Sequence, residues 1–356
     1  MSGNSPDTNG MNEAREARKS ELLKAVFLLR ARARARSHPF SCFLDELPSG
    51  LAPGLTPREG ASCAAGAEYV VNAGFRFQQG DSLPGDLPAD TLALDGLLRG
   101  YPLAWVEEPG IGIWTPFWVR GVWADVLQSL RPGAAPALSS LQPEVRCALA
   151  SADILVARGH EQARRAHWSR VCATAREEFR ARGYAVVRNL IPPRLMNAMR
   201  RYYRALVGDG DLPLGDSQVP GRYHLHSEVL GGFYHPQLTS LMSRVAGEEV
   251  KPSFVYFASY QPGAALPRHT DREQCEFSIS LLADYVPDSG GPCGWPLHLE
   301  NPAAPDTVGA VDLAVGDCVF YRGRELAHYR QPLPAGHQSS SLFLNYVRSS
   351  FSGQLW

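Results

Sequence analysis

Tyr260-Gln-Pro-Gly-Ala-Ala-Leu-Pro-Arg-His-Thr-Asp-Arg-Glu273, read together with Tyr321-Arg-Gly-Arg-Glu-Leu-Ala-His-Tyr-Arg330, is the part of the chain that decides the fold. On an extended strand, residues i and i+2 point to the same face. His269 and Asp271 can therefore bind one metal ion without a bend in the backbone. His328 lies far enough downstream to return on a neighbouring strand of a barrel. Two imidazoles and one carboxylate on one side of a metal leave the opposite positions free, the arrangement of non-haem Fe(II) sites that handle oxygen. The same alternation puts Arg330 on the face of the strand that carries His328.

Working outward, short apolar runs separated by turn residues predict strands at Phe254–Tyr260, Glu276–Leu282, Asp312–Leu313, Cys318–Tyr321, Ala327–Arg330 and Ser341–Val347. Many short strands without intervening helices argue for an antiparallel barrel or a double-sheet jelly roll. The segment from Asp288 to Trp295 is too rich in glycine to be a strand and is expected to turn over an edge of the barrel, with Trp295 covering apolar surface. His224 and His226 are expected on a loop bordering the pocket. Upstream, the stretch from Leu141 to Arg182 predicts two helices, the second with Trp168, Cys172, Ala175 and Phe179 on one face. Gly183 ends it, Tyr184 to Val187 reads as a strand, and Pro192 and Pro193 open a further helix lined by Leu195, Ala198, Met199, Tyr202 and Leu206.

The N-terminal part carries less signal. Residues 1–20 are polar and expected to be mobile, and a helix is predicted from about Glu13 to Arg36 with its arginines on a solvated face. Residues 37 to about 100 are rich in glycine and proline. Trp105, Trp114, Trp118 and Trp123 then cluster, as core of a small domain rather than a substrate surface, and a linker is expected near Pro132 to Pro143. The expectation is an α+β protein: a mainly helical region of unassigned fold over 21–140, then an antiparallel barrel or double-sheet jelly roll with flanking helices over 141–356.

The order helix, strand, helix, then strands bearing His-x-Asp and a distal His, resembles the Fe(II)- and 2-oxoglutarate-dependent dioxygenases, in particular their phytanoyl-CoA-hydroxylase-like and prolyl-hydroxylase-like branch. The resemblance is carried by the two stretches quoted above, by Val315-Gly-Asp317 before a strand, and by Gly183-Tyr-Ala-Val-Val-Arg188 at the entry to the core. It covers about residues 175–350. It implies a double-stranded β-helix (jelly roll, cupin-like) with iron held by His269, Asp271 and His328, and with 2-oxoglutarate and O2 as co-substrates. The reaction implied is hydroxylation of an unactivated C–H with release of succinate and carbon dioxide. The retained Asp271 separates the chain from related halogenases, which lack the carboxylate. Most such enzymes place an Arg or Lys about ten residues after the distal histidine to pair with the far carboxylate of 2-oxoglutarate; here that position is Gln338. A buried dicarboxylate still needs compensating charge. Arg330 is the first choice for that role, because its planar fork suits bidentate binding. Gln338 and Ser340 are expected to add neutral hydrogen bonds, and Tyr256 and Tyr260 phenolic donors; Arg272, Arg322 and Arg348 are the other cations in range.

Composition narrows the partners. The 356 residues carry a formal net charge of −1, which offers no electrostatic pull toward nucleic acid or an anionic membrane. Seven scattered cysteines, with no C-x-x-C pair, read as free thiols in a reducing compartment, so a cytoplasmic location is expected. No segment reaches membrane-spanning length. A region outside the barrel suggests a substrate larger than a free amino acid: a peptide, a carrier-bound residue or a natural-product intermediate. Two other readings stay open, a cupin-like iron enzyme in which substrate itself chelates the metal, and a non-catalytic metal-binding scaffold. Oligomeric state has no signature in the sequence.

Overall fold

The computed structural model of the chain describes residues 40–46, 68–79, 102–288, 290–303 and 307–355, together with 18–19, 21–23, 25–26, 28–31 and 33–34. The expectations for residues 1–17, for most of 47–101 and for Trp356 lie outside the described residues. The described positions between 18 and 34 are helical, as their spacing predicts.

In chain order the strands are β1 (Tyr69–Val71), β2 (Phe75–Gln78), β3 (Leu103–Glu108), β4 (Ile113–Trp118), β5 (Leu155–Ala157), β6 (Tyr184–Val187), β7 (Arg222–His226), β8 (Val250–Tyr260), β9 (Leu266–His269), β10 (Phe277–Val286), β11 (Leu297–Glu300), β12 (Val308–Val311), β13 (Cys318–Tyr321), β14 (Ala327–Arg330) and β15 (Gln338–Arg348). Two antiparallel sheets form the C-terminal half. One has six strands in the order β6-β13-β10-β15-β8-β7, the other four in the order β12-β11-β14-β9. Of the six strands expected from Phe254 onward, five form near their expected bounds, and Asp312 and Leu313 fall just after β12 instead of forming a strand. Two four-residue strands, β9 and β11, have no counterpart in the sequence reading.

The helices expected between Leu141 and Arg182 and after Pro192 form as read, whereas Ala124–Ser129, Val229–Gln237 and Thr239–Ala246 are helices that the sequence reading does not place. His160–Arg182 buries Trp168, Cys172, Ala175 and Phe179 and stops at Gly183, whose φ of 79° is the left-handed conformation that favours glycine. The chain then enters β6, which pairs with β13. Pro193–Gly208 buries Leu195, Ala198, Met199, Tyr202 and Leu206 and packs on β10, while Val229–Gln237 packs on β8. The six-stranded sheet is thus covered on one face, leaving its other face toward the four-stranded sheet.

The N-terminal region adds strands to the expected helices. Beside the helical positions between 18 and 34 and a helix at Ala124–Ser129, its described part has a three-stranded antiparallel sheet, β2-β3-β4, plus β1, which pairs with β5 beyond the expected linker. The cause is composition at short range. Leu103-Ala-Trp-Val and Ile113-Trp-Thr-Pro-Phe-Trp are aromatic and β-branched, residue types that fit a pleated surface, and glycines between them close the hairpin. Trp105, Trp114 and Trp118 are buried, so this cluster is core. Trp168 Nε1 donates to Glu108 at 2.6 Å, Arg164 pairs with the same carboxylate, and the Trp114 N–H donates to Gln237 Oε1 at 2.8 Å. These bonds tie the small sheet to the helices that cover the large one.

Candidate metal centre

His269 closes β9 and His328 lies on β14, and the two residues face each other directly in the β9–β14 ladder. Their rings are 4.3 Å apart, centroid to centroid. Asp271 follows two residues after His269. Its Oδ1 lies 3.5 Å from His269 Nε2 and 3.6 Å from His328 Nε2. Among the described residues this is the group whose ligand atoms converge, all within 4.8 Å of one another.

The donor set fits a metal on independent grounds. His269 Nδ1 is 2.8 Å from the Pro267 carbonyl, and His328 Nδ1 is 3.0 Å from the Leu326 carbonyl. Each carbonyl can only accept, so each Nδ1 carries the proton and each Nε2 lone pair is left facing Asp271. That is the outer-sphere arrangement of histidines bound to metals. Separations near 3.5 Å are too long for hydrogen bonds. They suit three ligands sharing one ion, each about 2.1 Å away. Gly323 seats the third ligand: its carbonyl accepts from the Asp271 N–H at 2.8 Å, and a Cβ there would collide with Asp271 Oδ2 and with the Cys275 carbonyl.

The three ligands open into a cavity of about 450 Å³ between the two sheets. Arg330 lines it, as the strand alternation requires, and is only 7% exposed. Its Nη1 donates to the Trp295 carbonyl, and its guanidinium carbon lies 4.5 Å from the centroid of the Trp295 ring. Among the described residues no carboxylate pairs with it. Burial holds its pKa below the ordinary arginine value. Tyr260 also lines the cavity, and its hydroxyl accepts from Arg222 Nη1 at 3.0 Å, so that its own proton has no acceptor among the described residues.

The other candidates separate. Tyr256 lines the cavity, but its hydroxyl is spent on Asp216 Oδ2 at 2.7 Å. Gln338 stands at the exposed start of β15, bonded to Gln261, and Ser340 faces Ser259 at 3.0 Å; neither lines the cavity. Arg322 and Arg348 serve Glu248, Glu276 and Glu325 elsewhere, whereas Arg272 sits at the cavity rim over Phe254. His224 and His226 lie on β7, a strand and not the expected loop, because their alternation with Tyr223 and Leu225 pairs along β8. His226 reaches the cavity, and burial followed by the nearby Arg272 pushes its pKa down to about 4.

The outer wall was not foreseen. Asp216, Ser217 and Gln218 come from the segment between the helix Pro193–Gly208 and β7. Asp216 Oδ1 accepts from the backbone of Gln218 and Val219, while Oδ2 accepts from Arg222 and Tyr256. Burial opposes its ionisation, yet these four donors hold its carboxyl below the usual carboxylate range. An Asx turn was readable there from Asp216-Ser-Gln-Val219; the partners on distant strands were not.

No family model matches the chain, and no curated protein matches it. Solved structures similar to part of it include a prolyl-4-hydroxylase from Pseudomonas putida, at 19% identity over 50% of this chain and 100% of that one, with a TM-score of 0.41. A prolyl hydroxylase from Trichoplax adhaerens, in complex with a peptide fragment of hypoxia inducible factor, shows 15% identity over 52% and 94% of the chains and a TM-score of 0.43. HygX from Streptomyces hygroscopicus, with nickel, 2-oxoglutarate and hygromycin B bound, shows 11% identity over 49% and 86%, with a TM-score of 0.38. Likeness this faint leaves the functional case to the site's own geometry.

Proposed function

We propose that this chain is an Fe(II)- and 2-oxoglutarate-dependent oxygenase on a double-stranded β-helix, hydroxylating an unactivated C–H of a peptide, a carrier-bound residue or a natural-product intermediate. The observation that carries the reading is that one cavity holds both a three-ligand His–Asp–His site and a buried guanidinium with no carboxylate partner. A metal explains the first, and a dicarboxylate long enough to reach from the metal explains the second.

His269, Asp271 and His328 hold the ion from one side and leave the opposite side to co-substrate. Bound iron supplies the oxidising chemistry. The chain's part is geometry. Arg330 neutralises the far carboxylate of 2-oxoglutarate in a site where an unpaired anion is costly. Tyr260 donates its free proton to the same group, its acceptor side being filled by Arg222. Phe254, Tyr256 and Phe343 supply an aromatic part of the cavity lining, which would limit water at the reacting carbon. Succinate keeps the carboxylate that Arg330 holds, so release of product requires that ion pair to break.

Anaerobic titration of the apo-protein with Fe(II) and then 2-oxoglutarate tests the reading. A weak visible charge-transfer band that needs both additions is expected. Iron binding without the band would point to a substrate-chelating enzyme, and no iron binding would overturn the metal site itself.

A further inference from the structure

Trp295 touches two of the side chains that line the cavity, Arg330 and Tyr260, through three different parts of itself. Its carbonyl accepts from Arg330 Nη1, its ring lies beneath the guanidinium at 4.5 Å, and its edge meets the Tyr260 ring with centroids 5.1 Å apart and planes 65° apart. The indole N–H donates to the Gln331 carbonyl at 2.7 Å, which fixes the ring to the residue that follows Arg330. The side chain is 2% exposed, and it reaches this position at the end of the β10–β11 loop, past Gly294 at a φ of 73°. Arg330 and Tyr260 stand on different sheets, and Trp295 lies against both.

From these contacts we infer that Trp295 is a positioning residue for co-substrate choice. It holds the guanidinium of Arg330 and the ring of Tyr260 at one spacing, and thereby makes the site select a 2-oxo acid that ends in a second carboxylate. A guanidinium stacked on an indole keeps its in-plane N–H groups free for a carboxylate, which a guanidinium packed among aliphatic side chains does not. The inference rests on Arg330 being the anchor.

The test compares 2-oxoglutarate with 2-oxobutyrate, which has the same chelating end and lacks the far carboxylate. Dissociation constants for both are measured by anaerobic calorimetry on the Fe(II)-loaded wild type and on Trp295→Leu, Trp295→Phe and Arg330→Met. The wild type is expected to prefer 2-oxoglutarate strongly. Trp295→Leu is expected to weaken 2-oxoglutarate at least tenfold and leave 2-oxobutyrate within twofold, with Trp295→Phe restoring most of the preference. If Trp295→Leu weakens both acids equally, or neither, Trp295 only packs and the inference falls. If Arg330→Met keeps the preference intact, the anchor reading falls instead. Should Trp295→Leu be too unstable to titrate, Trp295→Met decides in its place by the same criterion: a loss of tenfold or more confined to 2-oxoglutarate supports the inference, and any smaller loss, or one shared by both acids, overturns it.

Discussion

Glu228 and Arg330 are both ionisable groups taken out of water, and the protein treats them differently. Glu228, fully buried, is closed on every side. Its carboxylate accepts from the Tyr202 and Tyr203 hydroxyls, both at 2.9 Å, and from the backbone of Leu230 and Gly231, capping the helix Val229–Gln237. Nothing is left for a ligand to supply. Arg330 has a backbone carbonyl and an aromatic ring, with no carboxylate in ion-pair contact among the described residues, and it faces a cavity. A charge satisfied by its own fold does structural work. A charge left open beside a metal site is held ready for an anion.

That contrast can be broken by substitution, and the largest effect should fall on the closed group. Glu228→Ala strips the acceptor from four buried donors and should cost about 3–5 kcal/mol of stability, read from urea denaturation, with ligand stoichiometry unchanged in whatever fraction stays folded. Arg330→Met should do the reverse. Affinity for 2-oxoglutarate is expected to fall about 100-fold while the melting temperature holds or rises, because an unpaired buried cation is replaced by apolar volume. A melting temperature that collapses would make Arg330 a structural group like Glu228.

A third buried group, His235, sharpens the comparison by being kept neutral. It is fully buried and bonded to the Asn345 carbonyl at 2.7 Å, and burial pushes its pKa down to about 4 from an ordinary value of 6.5. The unfolded chain takes up this proton as pH falls below 6.5, and the folded chain only near 4. Stability should therefore drop across that window and level off beneath it, by about 2 kcal/mol at pH 5 relative to pH 7. Denaturation midpoints at the two pH values measure it, and His235→Gln should flatten the slope. The smallest effect belongs to Gly323→Ala, which crowds Asp271. Affinity for Co(II), followed by its visible absorption, should fall about tenfold; an unchanged affinity would mean that the loop yields and the glycine has no bearing on the ligand.

The sequence disclosed what depends on neighbours along the chain. His269 with Asp271, and His328 with Arg330, are i, i+2 pairs, and one extended backbone brings each pair to a single face. The helix ending at Gly183 was equally local, a glycine after an apolar stripe. What stayed hidden depends on pairing at a distance. The strands β9 and β11, Leu-Pro-Arg-His and Leu-His-Leu-Glu, are too short and too polar to stand out; they are strands because β14 lies between them. The N-terminal sheet escapes the sequence reading for a related reason, its strands being set among glycines and prolines that break any period. Trp295 was legible as a buried aromatic, but not as the neighbour of Arg330, since nothing in a glycine-rich loop says where it returns.

Each candidate ligand histidine takes its tautomer from the carbonyl two residues behind it, Pro267 for His269 and Leu326 for His328. In many metal sites that duty falls to a carboxylate side chain, which a single codon change can remove. Here it belongs to the main chain, and every amino acid has a carbonyl. No substitution at 267 or 326 can delete the acceptor, and only a change of backbone path can move it. The orientation of both imidazoles is thus written into the ladder of β9 and β14 and not into the identity of any supporting residue, which makes the site tolerant of drift around its histidines and intolerant of a slipped strand.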